Sequence, residues 1–220
     1  MAAVTLMVAG TALLTLGMRG HGDALPAPAP APTSHRQPST PATTQKPKPT
    51  GIAQLSAARS VPVFLHIPAI DVEVSLSALG LNPDGTAQVP TDFAQPGWYR
   101  FGPTPGQVGS AVILGHVDSY RGTAVFFELR TLQAGDSIEV TLADGVVVHF
   151  AVTSVAMYTK AQFPAEQVYA SHGYAALQLV TCGGQFDRAT GHYLSNVVVY
   201  STLVAVTPAT APAPAVSQGS

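Results

Sequence analysis

Cys182 is the single cysteine of a 220-residue chain, and it stands where the apolar run Ala175-Ala-Leu-Gln-Leu-Val-Thr181 gives way to Gly183-Gly184. With no second cysteine, an internal disulfide is impossible. The thiol is then either a small buried apolar group or a nucleophile. His116 occupies a matching place, after Ala111-Val-Ile-Leu-Gly115 and before Val117-Asp118-Ser119. An imidazole beside a thiol can take its proton, hold the resulting thiolate, and later protonate a leaving group. A thiol and an imidazole, each where an apolar run meets a polar loop, point to thiolate catalysis. Gly183 and Gly184 either let a backbone approach the sulfur or form an ordinary turn. Arg188, in Gln185-Phe-Asp-Arg188, offers a guanidinium to the thiolate or a developing oxyanion, or else pairs with Asp187 as a solvated loop residue.

Elements that end together must position these groups. Residues 63–67, 72–76, 110–114, 137–142, 146–155, 176–180 and 197–203 read as short strands, partly alternating and rich in β-branched residues. Asn82-Pro-Asp-Gly85, Gly102-Pro-Thr-Pro-Gly106 and Ala143-Asp-Gly145 are turn signals, the last predicting a hairpin. Helical character is confined to 124–132 and 162–169. Many short strands at this spacing predict a mainly β fold, a closed barrel or a sandwich. Asp118 either orients His116 or caps its own loop, and Trp98 and Tyr99 either line a groove or pack at a barrel rim.

The remaining composition narrows the function. A net charge of -2, with only 10% charged residues, leaves no basic field for nucleic acid or an anionic membrane surface. His66, His149 and His192 lack metal-ligand spacing and no glycine motif cradles a phosphate, so neither metal nor cofactor is expected. Residues 1–18 carry no charge before Arg19, His21 and Asp23. Spanning a bilayer takes about 20 apolar residues, so 1–23 reads as a signal anchor, or alternatively a cleaved signal peptide. Residues 24–58, including Leu25-Pro-Ala-Pro-Ala-Pro-Ala-Pro-Thr33, read as an extended linker that cannot build a core. A domain at 59–205 and a disordered tail at 206–220 follow.

Leu179-Val-Thr-Cys182, with Gly115-His116 upstream, resembles the signature of the sortases. Leu114-Gly-His-Val-Asp-Ser119, Thr181-Cys-Gly-Gly-Gln-Phe-Asp187 and Tyr193-x-x-Asn-Val-Val-Val199 look most like the class F sortases of actinobacteria, as do Pro96-Gly-Trp-Tyr99 and Gly102-Pro-Thr-Pro-Gly106. The resemblance covers about residues 60–204. It implies an eight-stranded β-barrel with one or two short helices, and a membrane-anchored cysteine transpeptidase on the extracellular face. Such enzymes cleave a Leu-Pro-x-Thr-Gly-type sorting signal through a thioacyl intermediate and pass the protein to an amine of a cell-wall precursor. Cys182 would be the nucleophile, His116 the general acid/base, and Thr181 and Asn196 substrate contacts, in a monomer. The family's arginine, about a dozen residues past the cysteine, falls here in Leu194-Ser-Asn196, which has none. Arg188 is the expected third catalytic group, with Asn196 as an alternative hydrogen-bond donor and Arg121 and Arg130 as further candidates. A non-catalytic, surface-tethered binding module and a hydrolase releasing sorting-signal proteins are the competing functions.

Overall fold

A computed structural model describes residues 56–210. The 1–23 segment, nearly all of the 24–58 linker and the end of the tail lie outside the described residues. The chain forms β1 (Pro62–Ile67), β2 (Val72–Ser75), β3 (Ser77–Leu79), β4 (Gly97–Tyr99), β5 (Gly109–Leu114), β6 (Asp118–Ser119), β7 (Gly122–Thr123), β8 (Ser137–Leu142), β9 (Val147–Thr159), β10 (Ala175–Asp187) and β11 (His192–Thr207). One short helix, α1 (Ala165–Tyr169), precedes β10. β6 and β7 form a small separate hairpin.

The other nine strands form one sheet in the order β2-β1-β8-β9-β11-β10-β5-β4-β3. Its two edges, β2 and β3, are consecutive in the chain and separated only by Leu76. One bent segment therefore serves both edges and nearly closes the sheet, so the expected eight-stranded barrel is what forms when β2 and β3 count as one strand. Closure also removes exposed sheet edges, which otherwise template aggregation.

Two apolar layers flank the central strands. Ala111 and Ile113 of β5, Leu177 and Leu179 of β10, and Val199 of β11 point into the barrel with Phe126, Leu129 and Phe150. The alternate residues Val112, Leu114, Val180 and Val198 point outward, beneath Val168 and Tyr169 of α1. Strands covered on both faces read as continuous apolar runs, which is why β5 and β10 lack clean alternation. Parallel pairing of β5 with β10 runs from Gly109↔Ala175 to Leu114↔Val180. Both strands thus reach the same end of the barrel in register.

β9, β10 and β11 run longer than the apolar pattern predicts, and β11 continues to Thr207, two residues into the segment read as tail. The helical stretch expected at 124–132 shrinks to one 3-10 turn, Leu129–Thr131. The cause is tertiary: Ala124 N–H donates to the Val117 carbonyl and Phe126 N–H to that of His116, so the backbone is spent on the neighbouring loop rather than on a helix. At 162–169, a 3-10 turn (Lys160–Gln162) and α1 replace one continuous helix, with Pro164 at the break.

Candidate active site

Beyond Leu114↔Val180 the ladder continues, Gly115 N–H donating to the Val180 carbonyl at 3.1 Å. His116 and Cys182 therefore stand two residues past the same registered pair. On the next strand Cys182 opposes Asn196 directly. Paired residues share a face, and side chains alternate along a strand. His116, Cys182 and Asn196 accordingly form a row across three neighbouring strands, extending the outward rows that end in Leu114, Val180 and Val198. Gly115 keeps the inward place between them, where a Cβ would overlap the buried Phe126 ring.

The row lines a narrow cavity of about 20 Å³ walled by Val89, Pro90, Leu114, Val180 and Thr181. The Pro90 carbonyl lies 2.7 Å from His116 Nε2. A carbonyl only accepts, so Nε2 donates to it and Nδ1 is the ring nitrogen left to exchange a proton. Phe93 packs on the imidazole, ring centroids 4.6 Å apart. Sequence reasoning missed both partners, whose contact with His116 depends on how the long β3–β4 connection folds back. Asp118, considered as the residue orienting His116, instead accepts a hydrogen bond from the Tyr193 hydroxyl. That bond, with desolvation and the nearby Asp118 charge, pushes the Tyr193 phenol up to about 12.

A second cavity, of about 200 Å³, meets Cys182 from the barrel mouth and is lined by Phe126, Phe127, Arg130, Thr181, Gly183, Tyr193 and Val197. Arg130 follows the buried Leu129 in the 3-10 turn, and its guanidinium lies 5.8 Å from the Phe127 ring centroid. Cys182, half-buried, thus sits on the rim between an outer cavity holding an imidazole and an inner one holding a guanidinium. A guanidinium favours a thiolate by its charge, and an imidazole does so by taking the thiol proton. Gly184, at φ 76°, lies in the bulge between Gly183 and Phe186 that carries the β10–β11 hairpin away from the sulfur.

The structure brings His116, Cys182, Thr181 and Asn196 together. Thr181 and Asn196 are 3% and 1% exposed, and Thr181 Oγ1 and Asn196 Oδ1 are buried without hydrogen-bond partners. Arg188 is placed apart, exposed on the turn between β10 and β11 and lining neither cavity. Its neighbour Asp187 accepts from Ala189 N–H and the Thr190 hydroxyl at 2.9 and 3.0 Å, and these bonds hold its carboxyl below the usual range. Of the arginines considered from sequence, Arg130 is the one that lines a cavity with Cys182, an arrangement created by the turn at 129–131 rather than by spacing. Arg121 lines instead a wide open groove of about 620 Å³ on the far side of Phe93. Among the described residues, no group of three His, Cys, Asp or Glu side chains could hold a metal ion.

The sortase domain family matches residues 65–204. Similar solved structures include a lid mutant of sortase A from Corynebacterium diphtheriae, with TM-score 0.52, 18% identity, and coverage of 69% of this chain and 74% of that one. Sortase A from Listeria monocytogenes gives TM-score 0.53 and 17% identity, covering 70% of this chain and 92% of that one. Streptococcus pneumoniae sortase C gives TM-score 0.50 and 22% identity, covering 69% and 68% respectively. At such identities the likeness speaks to the fold alone. No curated protein sequence is significantly similar to the chain. The family match spans well over half of the 220 residues, so this protein belongs to the sortase family of cysteine transpeptidases.

Proposed function

We propose that this protein is a membrane-anchored transpeptidase of the class F type, acting outside the membrane as a monomer. It cleaves a Leu-Pro-x-Thr-Gly-type sorting signal between Thr and Gly and transfers the protein to an amine of a cell-wall precursor. The observation that carries this reading is the meeting of His116 and Cys182 in one cavity, each two residues past the last pair of the β5–β10 ladder. Membrane attachment rests on the uncharged 1–18 segment and the Pro-rich stretch after it.

The chemistry follows from the two-sided rim. The Cys182 thiolate, formed as its proton passes to His116, adds to the Thr carbonyl carbon as the carbonyl π pair moves onto oxygen. Collapse restores the carbonyl and expels the Gly nitrogen, which takes a proton from His116. The thioacyl enzyme is then resolved by an incoming amine that gives its proton back to His116, and the sulfur leaves as thiolate. Arg130, rather than the distant Arg188, supplies the guanidinium that favours the thiolate. Thr181 and Asn196 contact the substrate from either side of the strand.

Mass spectrometry of the enzyme with Leu-Pro-x-Thr-Gly peptides tests nucleophile and substrate together. The expected result is an adduct on Cys182 that hydroxylamine removes, absent from Cys182→Ala and strongly reduced in His116→Ala. No adduct with any such peptide, from an enzyme whose thiol reacts at an ordinary rate, would return the fold to a binding role.

A further inference from the structure

Asn196 and Thr181 are the other polar members of the cavity shared by Cys182 and His116. The Asn196 carboxamide is 1% exposed, yet Oδ1 has no hydrogen-bond partner. Burying an amide without a partner destabilises a fold, and an apolar residue of the same size would avoid that cost. With Oδ1 held by no hydrogen bond, the amide can turn either end to a group bound in the cavity. Its position says which group.

Asn196 is the register partner of Cys182 across β10 and β11. Cβ atoms of directly opposed residues lie about 4.5–5.5 Å apart, within reach of a group bonded to the sulfur. On the other flank stands His116, so the sulfur lies between an amide and an imidazole in one row. A tetrahedral carbon on that sulfur carries two groups needing opposite treatment: a leaving nitrogen that must gain a proton, and an oxygen that must hold negative charge. The imidazole serves the first. The cavity, about 20 Å³, has room for about one oxygen-sized group.

We propose that Asn196 is a catalytic residue whose side-chain N–H donates to the oxyanion formed when Cys182 adds to an acyl carbonyl. The carboxamide carries two N–H donors, and rotation about its last torsion exchanges the oxygen and nitrogen ends at little cost. It neither gains nor loses a proton. The negative charge arises from the carbonyl π pair and returns to the carbonyl when the leaving group departs. A neutral donor fixed on a strand suits this task because it is aimed before the reaction begins. The division of labour is then spatial: Arg130 acts on the thiolate from the barrel mouth, and Asn196 acts on the oxygen from the outer cavity.

The assignment rests on Cys182 being acylated, as proposed above, but not on the sorting signal. Its test therefore uses two small probes on the full chain. Iodoacetamide alkylates the thiolate by displacement and forms no oxyanion, whereas p-nitrophenyl acetate acylates it through one. Asn196→Ala is expected to slow acylation about 100-fold while leaving alkylation and its pH profile unchanged. Asn196→Leu, which keeps the size but offers no donor, is expected to lose as much and serves if the alanine variant does not fold. Acylation equal to the parent's, or alkylation falling in step with acylation, overturns the assignment. Should sorting peptides fail on the parent enzyme while the ester still separates the variants, the substrate reading falls and this one stands.

Discussion

At the scale of single residues, the proposed chemistry assigns the sulfur's reactivity and its transition state to different neighbours. Arg130 brings a guanidinium and His116 an imidazole to two cavities that share Cys182 as a wall. Removing the guanidinium should therefore show in the ground-state thiol. Arg130→Ala is expected to slow iodoacetamide alkylation near neutral pH about tenfold, and Arg188→Ala to leave it unchanged, as followed by the rate of label uptake. The reverse pattern would place the functional arginine on the hairpin turn. Cys182 and His116 were legible in the sequence because each ends an apolar run, a signal that survives without any knowledge of pairing. Arg130 was not singled out. It follows Leu129 in a stretch whose helical appearance concealed a turn, and no spacing rule connects it to residue 182.

At the scale of elements, the rim is held by ties between loops that the strands do not fix. The Tyr193 hydroxyl at the base of the β10–β11 hairpin donates to Asp118 of the β6–β7 hairpin, and this bond helps raise the phenol from 10.0 to about 12. The protonated form is thus favoured by folding. Its contribution is fully present below about pH 10, the unfolded value, and is lost as pH rises through about 12. Tyr193→Phe should be less stable than the parent at neutral pH and should lose less further stability between pH 10 and 12, as read from denaturant melts across that range. Equal slopes for the two proteins would show that the hydroxyl is not tied in solution. The strand ranges themselves were largely readable, but β3 and β4 were not. Each is three residues long, too short for a period to declare itself, and each is defined by its neighbours in the sheet.

At the scale of the whole molecule, barrel closure makes remote segments answer for the site. The last stretch of β11 pairs with the start of β9 from Thr202↔Ala151 to Thr207↔Val147, and Leu203 and Val206 pack against the inner core. Ending the chain after Thr207 is expected to leave the melting temperature unchanged, whereas ending it after Ser201 should lower it by several degrees or more and slow Cys182 labelling with it. Calorimetry with a parallel labelling assay decides, and an unaffected shorter chain would mean that the outer strands stabilise independently of the rim. The amino-acid sequence by itself determined the β class, the hairpin at Ala143-Asp-Gly145 and the choice of His116 and Cys182 as candidates, because these depend on local period, turn residues and residue type. Only the tertiary structure decided that β5 and β10 lie side by side and parallel, that Asn196 is the register partner of Cys182, and that Arg130 rather than Arg188 lines a cavity with it. Those facts depend on strand order and register, which arise from pairing between segments far apart in the chain and leave no mark on either segment alone.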